Sequence, residues 1–446
     1  MEEFNFGHGQ MGGYDRRVCI IGAGPGGLSA AHFLKTRGYK NVTVLESMGR
    51  VGGKCLTLSH GDRSFDIGAN YVTSDYHEVL RLAEEFDATL YTESTMTVAS
   101  FAADGALSFT TPLSLLTAQA SFVSVLSAVL RYPWIRFRIR KIIDKPGFAD
   151  VSRRPDLCRS FAAWLADNRL TALTPMFEIP ITAMGYGALE EIPAPYALKY
   201  MSTKTFLDMI FFGLRLRPRW PKRFVDGFQC LWEKVAAPLD VRLNVHVRSI
   251  ERSSTIRVFT ESGGCTEVME FDSLIVSSVH DSRTLTDFLL LSTDEIRLFD
   301  QVDVNPFVVT TYVVNHMQVP HRIIFVCPAP KLGVPCAISQ QFENNSYWQF
   351  YTRVGRDYKP QISDVLSAVK HTVAQLGGRV SDNDIHTVTL WDYFPHVDAN
   401  AIADGFYDRL EAMQGERGTY YCGGLLAFEL VEQVVRYSRH LVETRF

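Results

Sequence analysis

The run Arg17-Val18-Cys19-Ile20-Ile21-Gly22-Ala23-Gly24-Pro25-Gly26-Gly27 constrains this chain more than any other. Four apolar residues in a row read as a strand buried on both faces, which is how strands of parallel sheets read. The glycines that follow fit G-x-G-x-x-G at Gly22, Gly24 and Gly27. Each has a distinct physical task. The first permits a tight turn, the second lets backbone approach a diphosphate, and the third lets helix pack on strand. Leu28 to Thr36 favours a helix, with Gly38 as the stop. The apolar run Val42-Thr43-Val44-Leu45 is a second strand, and it ends at Glu46, 19 residues after Gly27. Together these spell a βαβ unit whose helix N-terminus would carry a diphosphate and whose Glu46 would accept from ribose hydroxyls.

Further glycines indicate a ligand longer than NAD. Glu46 is followed by Arg50, Gly52, Gly53 and Lys54. That second glycine pair suits a ligand whose phosphates pass close to backbone, with Arg50 screening their charge. Phe65-Asp66-Ile67-Gly68-Ala69-Asn70 supplies more open backbone. Far along the chain, Tyr420-Tyr421-Cys422-Gly423-Gly424 repeats a strand–glycine–helix order.

Composition narrows the class. The 446 residues carry 45 Lys+Arg against 49 Asp+Glu, so no global basic field exists to hold nucleic acid. Hydrophobic residues at 46% and aromatics at 12% exclude wholesale disorder. The eight cysteines show no C-x-x-C and no paired metal spacing, so no metal is expected. They read as free thiols in a reducing compartment. Met1 to Gly13 lacks the order of a signal peptide, and the expectation is a frayed start on a cytoplasmic protein.

Leu115 to Leu130 is apolar but, at 16 residues, short of the ~20 that span a bilayer. The basic stretch Arg131 to Lys145 follows, interleaved with Trp134, Ile135, Phe137 and Ile139. It reads either as a solvated face or as a peripheral contact with an anionic membrane. Helical patterns continue to Leu216 and break at Pro218 and Pro221. Val241 to Val247 and Thr255 to Thr260 alternate like strands. Phe271 to Val279, Pro306 to Val314, Ile323 to Cys327 and Trp348 to Thr352 are further strand-like runs. Val365 to Leu376 and Val431 to Thr444 are helical.

On these residues the chain resembles the FAD-dependent amine-oxidase-type oxidoreductases. Among them it is most similar to the bacterial flavin-dependent polyunsaturated fatty acid isomerases, with the fungal β-cyclopiazonate dehydrogenase type also near. The opening motifs carry the likeness, from Gly22 to Cys55. So do Thr182 to Gly187, Ile192-Pro193-Ala194, Leu198-Lys199-Tyr200, Asp226 to Gln229, Tyr393 to Val397, Met413-Gln414-Gly415 and Tyr437-Ser438. The resemblance implies an α/β fold: a discontinuous, doubly wound Rossmann-type FAD-binding domain, a mixed-sheet substrate domain and a helical cap. The expected parts are a flexible 1–14; FAD-binding 15–75, 225–285 and 395–446; substrate-binding 76–115 and 286–394; and cap 116–224. It further implies non-covalent FAD, with Val247 meeting the adenine through its backbone and Gly423 near the flavin ring. Gly424 stands where such proteins commonly have an acidic residue. Val308 to Tyr312 lacks the lysine that amine oxidases of this group place near the flavin.

The sequence offers no obvious His–Asp dyad, and the catalytic candidates are Tyr186, Tyr393 and His396. Tyr71, Phe177, Tyr186, Trp348 and Tyr393 are candidates for a lipophilic substrate wall, as are Phe211, Phe212 and Phe394; for any single one, core packing is the simpler explanation. Three functions follow. The first is double-bond isomerisation of a lipophilic unsaturated molecule by hydride abstraction and return. The second is net FAD-dependent oxidation of a C–C or C–N bond in secondary metabolism. The third is a non-catalytic binding protein, since a related architecture serves the Rab escort and GDP-dissociation proteins. The sequence does not set the oligomeric state.

Overall fold

The computed structural model describes residues 14–60, 63–92, 97–101, 107–110, 112–214, 216, 221–278, 282–319, 322–341, 346–355 and 362–446. The expected frayed start, 1–13, lies outside them, as does Val279.

The apolar run at the start is the centre of a five-stranded parallel sheet. Its order is Thr419–Tyr421, Ser273–Val276, Arg17–Ile21, Asn41–Leu45 and Asp240–Arg242. Val18, Cys19 and Ile20 are fully buried, as a strand covered on both faces requires. Helix Pro25–Thr36 packs on this sheet beside the C-terminal helix Val431–Arg445. Gly27 permits that packing, because a Cβ there would lie 2.0 Å from the Gly22 carbonyl oxygen.

Two expected strands divide. The alternating run Val241 to Val247 is not one strand. Asp240–Arg242 closes the parallel sheet, and His246–Arg252 opens a separate three-stranded antiparallel meander. Asn244 sits between them at φ +56°, a left-handed conformation that Asn tolerates better than most residues. The Asn244 and Val245 N–H groups donate to Met48 and Glu46 carbonyls, which ties the bend to the loop after strand Asn41–Leu45. The run from Phe271 splits too. Phe271 ends the meander strand Cys265–Phe271, and Ser273–Val276 joins the parallel sheet. The turn is held at Asp272, whose Oδ1 accepts from Arg17 Nη2 at 2.9 Å.

A seven-stranded mixed sheet forms the second layer. Its order is Ile385–His396, Asp303–Val313, Tyr347–Arg353, Pro335–Ser339, Ile323–Val326, Thr97–Phe101 and Leu107–Thr110. Only the pairing of Ile323–Val326 with Thr97–Phe101 is parallel. Helix Ile362–Gln375 covers one face through Val365, Val369 and Val373. The apolar stretch Leu115 to Leu130 is two helices, Pro112–Gln119 and Phe122–Ile143. Ser121 separates them by capping the second, accepting from the Ser124 N–H. The remaining helical region runs to helix Thr203–Gly213. Lys222–Phe224, expected in the helical cap, is instead a strand paired with Leu90–Thr92.

Candidate functional site

A single cavity of about 550 Å³ runs from the glycine turn to the mixed sheet. This is the size range of small-molecule and cofactor sites. Its two ends are built differently.

At one end, three glycine segments that are distant in sequence converge. Gly24 and Gly53 meet so closely that a Cβ on Gly53 would lie 3.1 Å from the Gly24 Cα. A Cβ on Gly26 would lie 3.5 Å from the Gly423 Cα. Gly423, at φ +107°, has no room for a side chain, since a Cβ would reach 2.5 Å from the Ser277 carbonyl oxygen. Gly68 is equally obligatory, with the Lys54 carbonyl oxygen 1.8 Å from where its Cβ would stand. The helix Pro25–Thr36 has no capping side chain and no acidic residue in its first turn. Its first-turn N–H groups therefore carry no side-chain cap at the edge of the cavity.

Glu46 lines this end, and its carboxylate is already partly engaged. Oε2 accepts from Ala23 N at 2.8 Å and Oε1 from Met48 N at 2.8 Å. A carboxylate has about four acceptor positions, so capacity for hydroxyl donors is left. Arg50 is half-buried and donates to the Gly53 carbonyl at 2.9 Å. Burial pushes its pKa down, with Glu46 opposing the shift. A bound diphosphate would offset that desolvation. Glycine walls, an uncapped helix start, a carboxylate and a desolvated guanidinium are what a dinucleotide diphosphate and ribose require. The residues present fit the group.

The predicted cofactor residues Gly22, Gly24, Glu46, Arg50, Gly53, Lys54, Gly68, Ala69, Asn70 and Gly423 all line the cavity. Gly27, Gly52 and Val247 lie outside the lining. Gly27 serves the packing described above. Gly52 donates to the Ala23 carbonyl at 2.8 Å and so holds the second glycine pair against the first. Val247 follows the bend at Asn244 and packs on the core near the Glu46 end.

The other end is apolar. The sheet register sets Phe325 opposite Ala337, Ala337 opposite Tyr351, and Tyr351 opposite Val309. These four form one cross-strand row, and all line the cavity. Phe307, Ile323 and Met184 extend the wall. Tyr71 lines it too, its hydroxyl accepting from the buried Arg223 at 2.7 Å.

Of the other substrate candidates, Tyr186 and Tyr393 face the cavity with ring centroids 5.3 Å apart. Burial pushes both phenols well above their ordinary value. Trp348 is on the opposite face of its strand from Tyr351, packed with Phe350 beneath helix Ile362–Gln375, because side chains alternate along a strand. Phe177 is buried in the helical layer against Tyr132 and Phe161. Phe211, Phe212 and Phe394 are outside the lining as well. His396 stacks on Phe394 at 4.6 Å, and its Nδ1 lies 2.7 Å from the Phe394 carbonyl oxygen. It does not line the cavity.

The junction of the two ends carries a residue the sequence reading missed. Glu429 lines the cavity and forms an ion pair with Lys54, while its second oxygen accepts from the Phe394 N–H. Its own carbonyl accepts from the Tyr186 hydroxyl at 3.0 Å. Phe394 stands at φ +53°, which aims its N–H at this carboxylate. Gly424 makes room for the arrangement, because a Cβ there would lie 3.2 Å from the Glu429 Cβ. Gly424, where the resemblance implies an acidic residue, thus has the side chain of Glu429 packed beside it. A lone Glu between an apolar pair and a helix carries no spacing signal, so only the fold reveals it.

Cys55 lines the cavity and Cys422 sits behind Gly26. Burial pushes Cys422 up to about 12 and Cys55 higher still. Neither is a thiolate at neutral pH, so neither is a ready nucleophile. Among the described residues no group of His, Cys, Asp and Glu could hold a metal ion, and no helix is long and apolar enough to cross a membrane.

Comparison with known proteins places this geometry. The model of the family described as flavin containing amine oxidoreductase matches residues 25–397. The chain is 26% identical over 215 residues to the polyenoic fatty acid isomerase of Ptilota filicina, covering 43% of this chain and 42% of that protein. It is 46% identical over 70 residues to protoporphyrinogen oxidase 2, chloroplastic/mitochondrial, of Arabidopsis thaliana, covering 16% and 14%. These matches thus span less than half the length of the curated relatives. Solved structures align over more. The crystal structure of a CLA-producing fatty acid isomerase from P. acnes superposes with a TM-score of 0.84 at 25% identity, over 97% of this chain and 99% of that one. A putrescine oxidase triple mutant gives 0.71 at 16% identity, over 96% and 98%, a likeness of fold alone.

Proposed function

The chain belongs to the flavin containing amine oxidoreductase family as an FAD-dependent enzyme, and we propose that it moves a double bond within a lipophilic, polyunsaturated chain. The observation that carries this reading is the cavity itself, which continues from the glycine cradle directly into an apolar wall. Full-length likeness to a fatty acid isomerase supports it.

FAD, when bound, supplies a centre that accepts a hydride and can return it. The protein's part is positioning. Glu46, Arg50 and the glycine backbone would hold the dinucleotide. The row Phe325, Ala337, Tyr351 and Val309 would hold an unsaturated chain flat and exclude water. Arg50 and Lys54 are the Lys and Arg side chains of the described lining, and Lys54 is committed to Glu429. Among the described lining residues no unpaired lysine therefore faces the apolar wall, which supports a hydride transfer that uses no amine base.

Linoleic acid incubated anaerobically with the flavin-loaded protein tests this. The expected product has unchanged mass and a new conjugated-diene absorbance. A product lighter by two hydrogens, with flavin bleaching or stoichiometric peroxide in air, would establish net oxidation instead. A colourless protein that fails to take up FAD would point to a non-catalytic binder.

A further inference from the structure

Helix Phe122–Ile143 presents a surface that the cavity does not explain. Phe122, Val123, Leu126, Leu130, Trp134 and Phe137 are all exposed, Leu130 by 69% and Phe137 by 61%. From Val123 their spacing is three, four, four and three, one continuous stripe along a helix about 33 Å long. Apolar stripes of this kind are normally buried.

The charge beside the stripe is one-sided. No Asp or Glu occurs between Asp104 and Asp144, a span that holds Arg131, Arg136, Arg138, Arg140 and Lys141 in a chain of net charge -4. Arg136 turns inward, 3% exposed, and pairs with Asp144 at 2.7 Å. Arg138 and Arg140 stay outside and lie over the exposed rings, 4.8 Å from the Trp134 centroid and 3.6 Å from that of Phe137. Their aliphatic stems thus extend the apolar strip while their heads reach past it, as side chains do at a membrane interface.

We propose that this helix lies in the plane of an anionic lipid surface, with Phe122 to Phe137 in the acyl boundary and Arg138, Arg140 and Lys141 on lipid headgroups. A second copy of the chain is the poorer occupant. Pairing stripe to stripe would bring these cations together with no acidic residue on either helix to answer them. The same helix buries Tyr132, whose hydroxyl donates to the Met201 carbonyl beside Tyr200 on the cavity wall. The surface stripe and the substrate cavity are therefore two sides of one helical layer. The inference does not depend on which reaction the cavity performs.

The flavin-loaded full-length protein is sedimented with vesicles of phosphatidylcholine alone or mixed with phosphatidylglycerol. Pelleting with the anionic vesicles only, falling with added salt, is expected. The variant Arg138→Gln/Arg140→Gln/Lys141→Gln should lose about a hundredfold in binding, three cations near the surface each contributing. Leu130→Ser/Trp134→Ser/Phe137→Ser should lose binding to a similar degree with flavin absorbance retained. Absence of wild-type pelleting, or equal pelleting of the charge variant, overturns the proposal. So does a lipid-free dimer that the charge variant strengthens, which would assign the stripe to a second copy. If the apolar variant fails to fold, the charge variant and the salt dependence still decide.

Discussion

The two ends of the cavity are made by opposite means. At the cofactor end the working parts are absences of side chains, with Gly24, Gly53, Gly68 and Gly423 bringing backbone into contact. At the apolar end they are side chains in bulk, Phe325, Ala337, Tyr351 and Val309, set opposite one another by strand register. A glycine cradle tolerates little change, because a Cβ at Gly68 or Gly423 would meet a carbonyl oxygen and one at Gly53 would crowd the Gly24 backbone. An apolar wall tolerates change in size and answers with specificity. The difference explains why a fold can keep its cofactor while changing its chemistry.

The cradle should therefore break outright. Gly27→Ala puts a methyl 2.0 Å from the Gly22 carbonyl oxygen, at the place where helix meets strand. The expected result is protein that is insoluble, or colourless when soluble; full flavin absorbance in this variant would refute the packing argument.

The sheet beneath the cradle should weaken by a large but finite amount. Glu295 is buried against Arg252, with Arg417, the Tyr421 hydroxyl and the Ser292 N–H as further partners. Burial alone would raise its pKa, yet Arg252, the Ser292 N–H and Tyr421 together hold it at about 2. A folded pKa below the ordinary value means stability that is present above pH ~4.5 and is lost as pH falls toward 2. Glu295→Gln leaves Arg252 buried without its charge partner, and about 3–5 kcal/mol should be lost at neutral pH. Chemical denaturation at pH 7 and pH 3 checks both halves: the gap between variant and wild type should be large at the first and shrink at the second.

How much of this was legible beforehand follows the same division. The cradle depends on local rules, so Gly22, Glu46, Arg50 and Gly53 could be read directly from turn and helix-start chemistry. The strand–glycine–helix order at Gly423 was readable too, though not that Gly423 would meet Gly26. The wall depends on which strand lies beside which. Val309 and Ala337 are 28 residues apart in a stretch of ordinary β-branched and small residues, and nothing local says that they share a row. Aromatic residues alone misdirect: Trp348 and Tyr351 sit three apart and point to opposite faces. Asn244 split an alternating run because one left-handed residue ends a strand without breaking the pattern. Glu429 was invisible because its role depends on the room left by Gly424 and the N–H of Phe394.

The junction should respond in an intermediate way. Lys54→Met leaves Glu429 facing the cavity with only the Phe394 N–H as partner. Loss of one charge-assisted hydrogen bond is worth about 1.5–3 kcal/mol, or roughly ten- to a hundredfold. If Lys54 serves the cofactor end, flavin dissociation should accelerate by that factor. If it serves the wall, flavin release stays constant and turnover alone falls.

The mildest change belongs to the wall. Ala337 is the small member of its row, flanked by Phe325 and Tyr351 across the neighbouring strands. On the proposed function, the notch beside its small side chain is where a bent, unsaturated chain lies against the sheet. Ala337→Phe fills that notch on the cavity side without touching any glycine contact. Binding of a long substrate should weaken about tenfold, the scale of one or two displaced methylenes in an apolar pocket, while flavin content stays at the wild-type level. A shorter unsaturated acid should suffer less than a longer one. That contrast is the useful reading, because a general loss of folding would penalise both acids equally and would release flavin as well. If Ala337→Phe instead empties the cofactor end, the two ends are one mechanical unit, and the division between an intolerant cradle and an adaptable wall fails.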